Sequence, residues 1–237
     1  MKALKITILT ATTLFAGLSL KAQTADEILT KHYDAMGGDA WNKVTTMKMT
    51  SSMMTQGMEI GMTNTMVNNK AARTDMSVMG SNGYTIITNS EGWSFMPMMG
   101  QTAPEAMKAD DLKKAQKGLD IKSQNKIDLK ADITKADLQG TEKVGDAECY
   151  KVKVVDKDND EQTWFFDKKT FYLVCVKAKQ EMQGQSMDIT QNYSDFKKLD
   201  EGIVVAMKID VPGQASITFK SIEVNKPIDD SVFKPSK

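Results

Sequence analysis

Few residues in this chain could do covalent chemistry, and their spacing argues against it. His32 is the only histidine among 237 residues. That removes most nucleophile–base pairs and most zinc sites, which draw on imidazole. It follows Ile28 by four residues, so a place on the flank of a helix is expected. Asp156, Asp158 and Asp160 match the first, third and fifth places of a calcium loop, and Asp167 falls at the twelfth. The sixth place is Glu161, where such loops need glycine, and Thr163 to Phe166 reads as strand. A solvated hairpin turn is the better reading. Asp110-Asp111 reads as the wet face of a helix and not as an acid–base pair. With no catalytic constellation and no cofactor motif, the chain is expected not to be an enzyme.

Methionine carries the strongest signal. Fourteen of the 18 methionines lie between Met36 and Met107. Thioethers fill irregular gaps in a core, and they also adapt to ligands of variable shape, such as acyl chains. The set expected to face a ligand is Met47, Met49, Met53, Met58, Ile60, Met62, Met66, Met76 and Val78, with Trp93 and Phe95 beside it. A rival reading takes the methionines as Cu(I) ligands, since soft thioethers select that ion, and Met96-Pro97-Met98-Met99 has the required density. Neighbours along a strand point to opposite faces, so most adjacent pairs cannot converge on one ion.

The elements that must position these residues follow from periodicity. Thr24 and Glu27 have capping-box spacing. Ala25, Ile28, Leu29, Ala35 and Met36 then recur at helical intervals as far as Gly37-Gly38. After that the period becomes two: Met47, Met49 and Met53 alternate with polar residues, as do Met58, Ile60, Met62 and Met66, then Thr74, Met76 and Val78 up to a turn at Gly80–Gly83. Short strands are expected over 84–88 and 92–98. The segment 103–136 breaks the pattern and reads as a helical insertion, with Pro104 placed to open a helix. Strands resume at 138–144, 147–155, 161–167, 171–182, 185–194, 203–211 and 214–225.

Some 11–12 strands joined by short turns predict a mainly β, antiparallel meander in a single domain. Cys149 and Cys175 then sit on strands separated by the one at 161–167, about 10 Å apart at two spacings of ~4.8 Å. A disulfide needs Cα atoms within ~7 Å, so two free, buried thiols are expected.

The chain opens with Lys2 and Lys5 before a mostly apolar, uncharged stretch from Ile6 to Leu20, the layout of a signal peptide. The stretch is shorter than the roughly 20 apolar residues of a membrane span, and Ala22 suits cleavage before Gln23. Cleavage there leaves residues 23–237 as one exported domain, with 28 basic against 31 acidic residues. A formal charge of about −3 with no basic stripe argues against nucleic acid as a partner. Arg73 is the only arginine, and lysine cannot replace its planar fork at a bidentate site.

Four stretches together resemble the periplasmic lipoprotein-carrier family, the outer-membrane lipoprotein-sorting (LolA-like) proteins, in a divergent branch. They are Ala25-Asp26-Glu27-Ile28-Leu29 running to Ala35-Met36-Gly37-Gly38; Asn89-Ser90-Glu91-Gly92-Trp93; Val144 through Val152; and Val224 through Phe233. The resemblance implies an unclosed β-barrel shaped as a half-pipe, with the N-terminal helix and the insertion as a lid over its concave face. It implies a periplasmic carrier that holds lipid or lipoprotein acyl chains and meets membrane partners in the envelope. It also implies an arginine on an early strand that bonds to the lid, a part open here to Arg73 alone. Where relatives use leucine, isoleucine and aromatics in the cavity, this chain uses methionine.

Overall fold

A computed structural model describes residues 23–182 and 185–236 of the chain. The leader expected over 1–22 lies outside the described residues. Helix α1 spans Ala25–Ala35. Its capping box forms in both directions: the Glu27 N–H donates to the Thr24 hydroxyl at 3.1 Å, and the Thr24 N–H donates to the Glu27 carboxylate at 3.0 Å. Ile28, Leu29 and His32 make its buried stripe. The helix ends at Gly37, with φ of 112°, where a Cβ would stand 2.8 Å from the Gly202 carbonyl oxygen. Only glycine allows that backbone and that approach together. A 3-10 turn, Gly38–Lys43, follows and buries Trp41, whose Nε1 donates to the Met36 carbonyl at 2.7 Å.

Thirteen strands form one antiparallel sheet. They are β1 (Thr46–Thr55), β2 (Met58–Val67), β3 (Ala71–Val78), β4 (Ser81–Thr88), β5 (Gly92–Phe95), β6 (Glu105–Ala106), β7 (Ile133–Val144), β8 (Ala147–Asp156), β9 (Glu161–Asp167), β10 (Leu173–Met182), β11 (Gln185–Lys198), β12 (Val204–Val211) and β13 (Ala215–Val224). The spatial order is β6-β5-β4-β3-β2-β1-β13-β12-β11-β10-β9-β8-β7. The sheet is therefore an unclosed half-barrel, one strand richer than the sequence suggested. It is two meanders joined where β1 pairs with β13, Met47 opposite Val224.

This order explains the insertion. Strands β6 and β7 are consecutive in the chain but form opposite edges of the sheet, so the segment between them must travel from edge to edge. It does so across one face, here called the inner face. Helix α2 (Ala109–Gln116) sits by β4, and beyond it Leu119, Ile121, Ile127 and Leu129 are buried. Ile121 and Ile127, from helix α3 (Ile121–Gln124) and just after it, pack with Trp41 on Met47, Met66 and Val224. Leu129 joins α1 against Val152, Trp164 and Phe166. Pro104 does not open a helix: Glu105 and Ala106 pair with β5, and helix begins only at Ala109. The strand expected over 92–98 stops at Phe95, and Pro97–Met99 forms a 3-10 turn, because proline has no N–H for the ladder.

Candidate ligand-binding site

Register assigns the methionine rows to one face. Met47 pairs with Met66, Ser51 with Met62, Met53 with Ile60 and Thr55 with Met58. Ile60 then pairs with Val78 and Met62 with Met76. Directly opposed residues share a face, so all nine expected residues of β1–β3 lie together on the inner face. They differ in cover. Met47 and Met66 are fully buried under the helices. Met53, Ile60, Met62 and Met76 are half-buried, and Met58 is exposed.

Between the lid and the sheet lies a cavity of about 260 Å³. Its apolar wall takes Met49 and Met62 from β1 and β2, Tyr193 and Phe196 from β11, Ile209 from β12, and Ile217 and Phe219 from β13. Met36, at the end of α1, and Leu173 close the far side. Ser51, Asn64 and Thr74 make a polar band across the β1–β3 wall, and the lid adds Gln124, Asn125 and Lys126. The side-chain oxygen of Asn64 is buried without a hydrogen-bond partner among the described residues. Burial raises the pKa of the Tyr193 hydroxyl, so this wall is neutral at physiological pH. The volume falls just below the roughly 300 Å³ at which small-molecule pockets begin. It suits a slender apolar chain better than a bulky polar ligand.

His32 is no flank residue. It is 1% exposed and also borders the cavity. One ring nitrogen lies 2.9 Å from the Phe171 carbonyl and the other 2.8 Å from the Lys126 carbonyl. The ring thereby joins α1 to the lid and to the β9–β10 turn. Burial holds its pKa below the ordinary value, against the opposing pull of the two carbonyls.

Three expected site residues lie on the opposite, outer face. Arg73 pairs with Ile86, Ile86 with Trp93, and Tyr84 with Phe95. Trp93 and Phe95 therefore do not adjoin the methionine rows; they pack with Tyr84 and Ile86 beneath Phe233. Nor does Arg73 touch the lid helices. Its guanidinium stacks on Tyr84 at 4.4 Å, bonds Asp75 at 2.8 Å and donates to the Val232 carbonyl at 2.9 Å. It fastens the C-terminal segment, not the lid. Cys149 and Cys175 also face outward, flanking Phe165 as free buried thiols.

The other polar candidates have structural partners. The Asp156 carboxylate accepts from the N–H groups of Asp158 and Asp160 and so shapes the β8–β9 turn. Asp158 pairs with Lys117 at 2.9 Å. Met98 and Met99, of the copper reading, lie exposed on the Pro97–Met99 turn, with Met96 half-buried beside them.

Solved structures share this architecture. A LolA superfamily protein from Nitrosomonas europaea superposes with a TM-score of 0.56 at 12% identity, covering 90% of this chain and 98% of that one. A DUF1329 family protein from Desulfovibrio piger gives 0.55 at 12% identity, over 89% and 97% of the two chains. An outer membrane lipoprotein-sorting protein domain from Vibrio parahaemolyticus gives 0.52 at 12% identity, over 87% and 94%. No family model and no curated protein matches the sequence. The fold is thus that of the LolA-like half-barrels, reached by a distant sequence.

Proposed function

We propose that this chain is an exported, non-enzymatic carrier that shelters an acyl chain of a lipid or lipoprotein in the inner-face cavity. The carrying observation is the cavity itself, walled by Met49, Met62, Phe196, Ile209, Ile217 and Phe219. Each Å² of apolar surface withdrawn from water contributes roughly 25 cal/mol, which is enough to hold a single chain reversibly. The likeness to a lipoprotein-sorting domain supports the reading. Release follows when the lid segment 119–129 parts from the sheet and an envelope partner takes the ligand. Export is expected to follow cleavage near Ala22, into the periplasm.

Native mass spectrometry of protein purified without detergent tests this, together with uptake of a fluorescent fatty acid. Wild type should carry or take up one acyl ligand. Met62→Trp, which fills the cavity from a half-buried position, should reduce uptake while thermal unfolding stays cooperative. Lipid-free spectra combined with no uptake would sink the reading.

A further inference from the structure

Every exposed large hydrophobic among the described residues is a methionine: Met54, Met58, Met79, Met98, Met99 and Met187. Register brings all six to the same end of the half-barrel. The β1–β2 turn follows Thr55, which pairs with both Met58 and Ala215. Ile60 pairs with Val78, so the β3–β4 turn lies beside it, and Phe95, pairing with Tyr84, leads to the Pro97–Met99 turn. Met187 lies near the start of β11 at that end. Over β1–β3 the helices leave this end open. They bury Met47, Met66 and Val224 near the other end, while Met53, Ile60, Met62 and Met76 remain half-buried between the cavity and the rim.

Charge is sparse where β1–β5 and β12–β13 form this rim, while the β8–β9 turn farther along the same end carries Asp156, Lys157, Asp158, Asp160 and Glu161. From Met49 to Pro104 the only charged residues are Glu59, Lys70, Arg73, Asp75 and Glu91, and Val211 to Phe219 has none, in a chain that is 26% charged. At the opposite end the turns carry Lys70, Glu91, Asp146, Lys168, Asp200 and Glu201. The β3–β4 tip breaks a local rule as well. Met79 and Gly80 have φ of 49° and 83°, the two-residue hairpin geometry that favours Asn-Gly or Asp-Gly. A 92% exposed methionine stands there instead. Backbone strain and exposed apolar surface at one residue serve neither stability nor solubility.

We propose that this methionine rim docks on a lipid bilayer, engaging the acyl boundary below the headgroups. The inference rests on the carrier reading and gives it a path, from bilayer along the open inner face to the cavity. An arc of separate hairpin tips fits an extended surface rather than a peptide groove. The sparse charge along its β1–β5 and β12–β13 stretch fits the uncharged acyl boundary better than an anionic headgroup layer or a charged protein face. Unbranched thioether side chains settle among disordered acyl chains without demanding one packing.

Flotation of the mature chain with phosphatidylcholine vesicles tests the rim. Wild type should float with these zwitterionic vesicles, and high salt, which screens exposed charges, should leave binding unchanged. The double variant Met79→Asp/Met99→Asp, at exposed turns outside the cavity, should bind vesicles on the order of tenfold more weakly. Aspartate tolerates the left-handed backbone at 79, and uptake of fluorescent fatty acid without vesicles should match wild type. Absence of flotation, binding confined to anionic vesicles and lost in salt, or undiminished binding by the double variant would each overturn the proposal. Flotation without any fatty-acid uptake would instead overturn the carrier reading and leave the rim standing.

Discussion

The imidazole of His32 and the carbonyl oxygen of Lys126 lie 2.8 Å apart, a buried contact that ties α1 to the loop after α3, where Lys130 also donates to the Thr30 hydroxyl at 2.8 Å. The Phe171 carbonyl stands 2.9 Å from the other ring nitrogen. A neutral imidazole donates from one nitrogen only, so protonation would satisfy both carbonyls. Burial outweighs that gain and lowers the pKa.

The folded state therefore prefers neutral His32. Its stability is complete above the ordinary value of about 6.5 and declines as pH falls through the lowered folded pKa. NMR titration of this single histidine should give a pKa below the free-imidazole value, and urea midpoints should fall on acidification in that window. In His32→Ala, which should cost about 2–4 kcal/mol through lost burial and one orphaned carbonyl, the histidine's contribution to that pH dependence should vanish. A pKa above the ordinary value would mean that the carbonyls prevail.

Arg73 should act on the C-terminus. In Arg73→Leu, hydrogen exchange should speed up over residues 228–236 and stay unchanged over 109–124. The bond to the Val232 carbonyl is charge-assisted, a type worth roughly 1.5–3 kcal/mol, and its partial exposure lowers the expected loss to about 1–2 kcal/mol. Faster exchange confined to the lid would return the arginine to the role implied by resemblance.

Gly37→Ala should destabilise without touching the cavity wall. Its Cβ would meet backbone atoms of Gly202 and Ile203 at 2.8 Å, at a φ of 112°. Strain and overpacking together predict a loss of about 2–4 kcal/mol, readable as a lowered denaturant midpoint. A neutral result would show that the β11–β12 turn yields.

The two thiols should be inert in the native protein. Burial pushes Cys149 up to about 11 and raises Cys175 as well, so little thiolate is available to attack a reagent. Labelling at neutral pH should modify neither cysteine until denaturant is added, and then both without reductant. Blocked cysteines would reveal a disulfide that the intervening strand β9 should forbid.

Local rules made much of this legible. Thr24 with Glu27 marks the helix start, and alternation through β1 and β2 assigns the methionines to one face. The same alternation, with Thr74, Met76 and Val78 on that face, already places Arg73 on the other. Expecting it at the lid set resemblance against parity, and parity prevailed. Trp93 and Phe95 were harder, because face assignment does not carry through the Asn89–Glu91 turn without the β4–β5 register. The pairing of β1 with β13, and with it the contribution of β11–β13 to the cavity, depends on contacts between distant residues that periodicity does not encode. Ile217 and Phe219 did alternate on their strand, a signal that could have marked them. His32 read as a helix flank because its carbonyl partners come from two loops far along the chain.

The juncture of β1 with β13 also sets when the protein can fold. Thr45 donates its N–H to the Asn225 side chain at 2.9 Å, and Met47 lies opposite Val224, so the sheet's central seam joins the beginning of the domain to its end. Neither meander can bury its inner face at that seam until the final strand has been synthesised. Contacts so remote in sequence make folding slow. A chain of this design can close its central seam only once the last strand has emerged, so its fold is completed after synthesis and not during it.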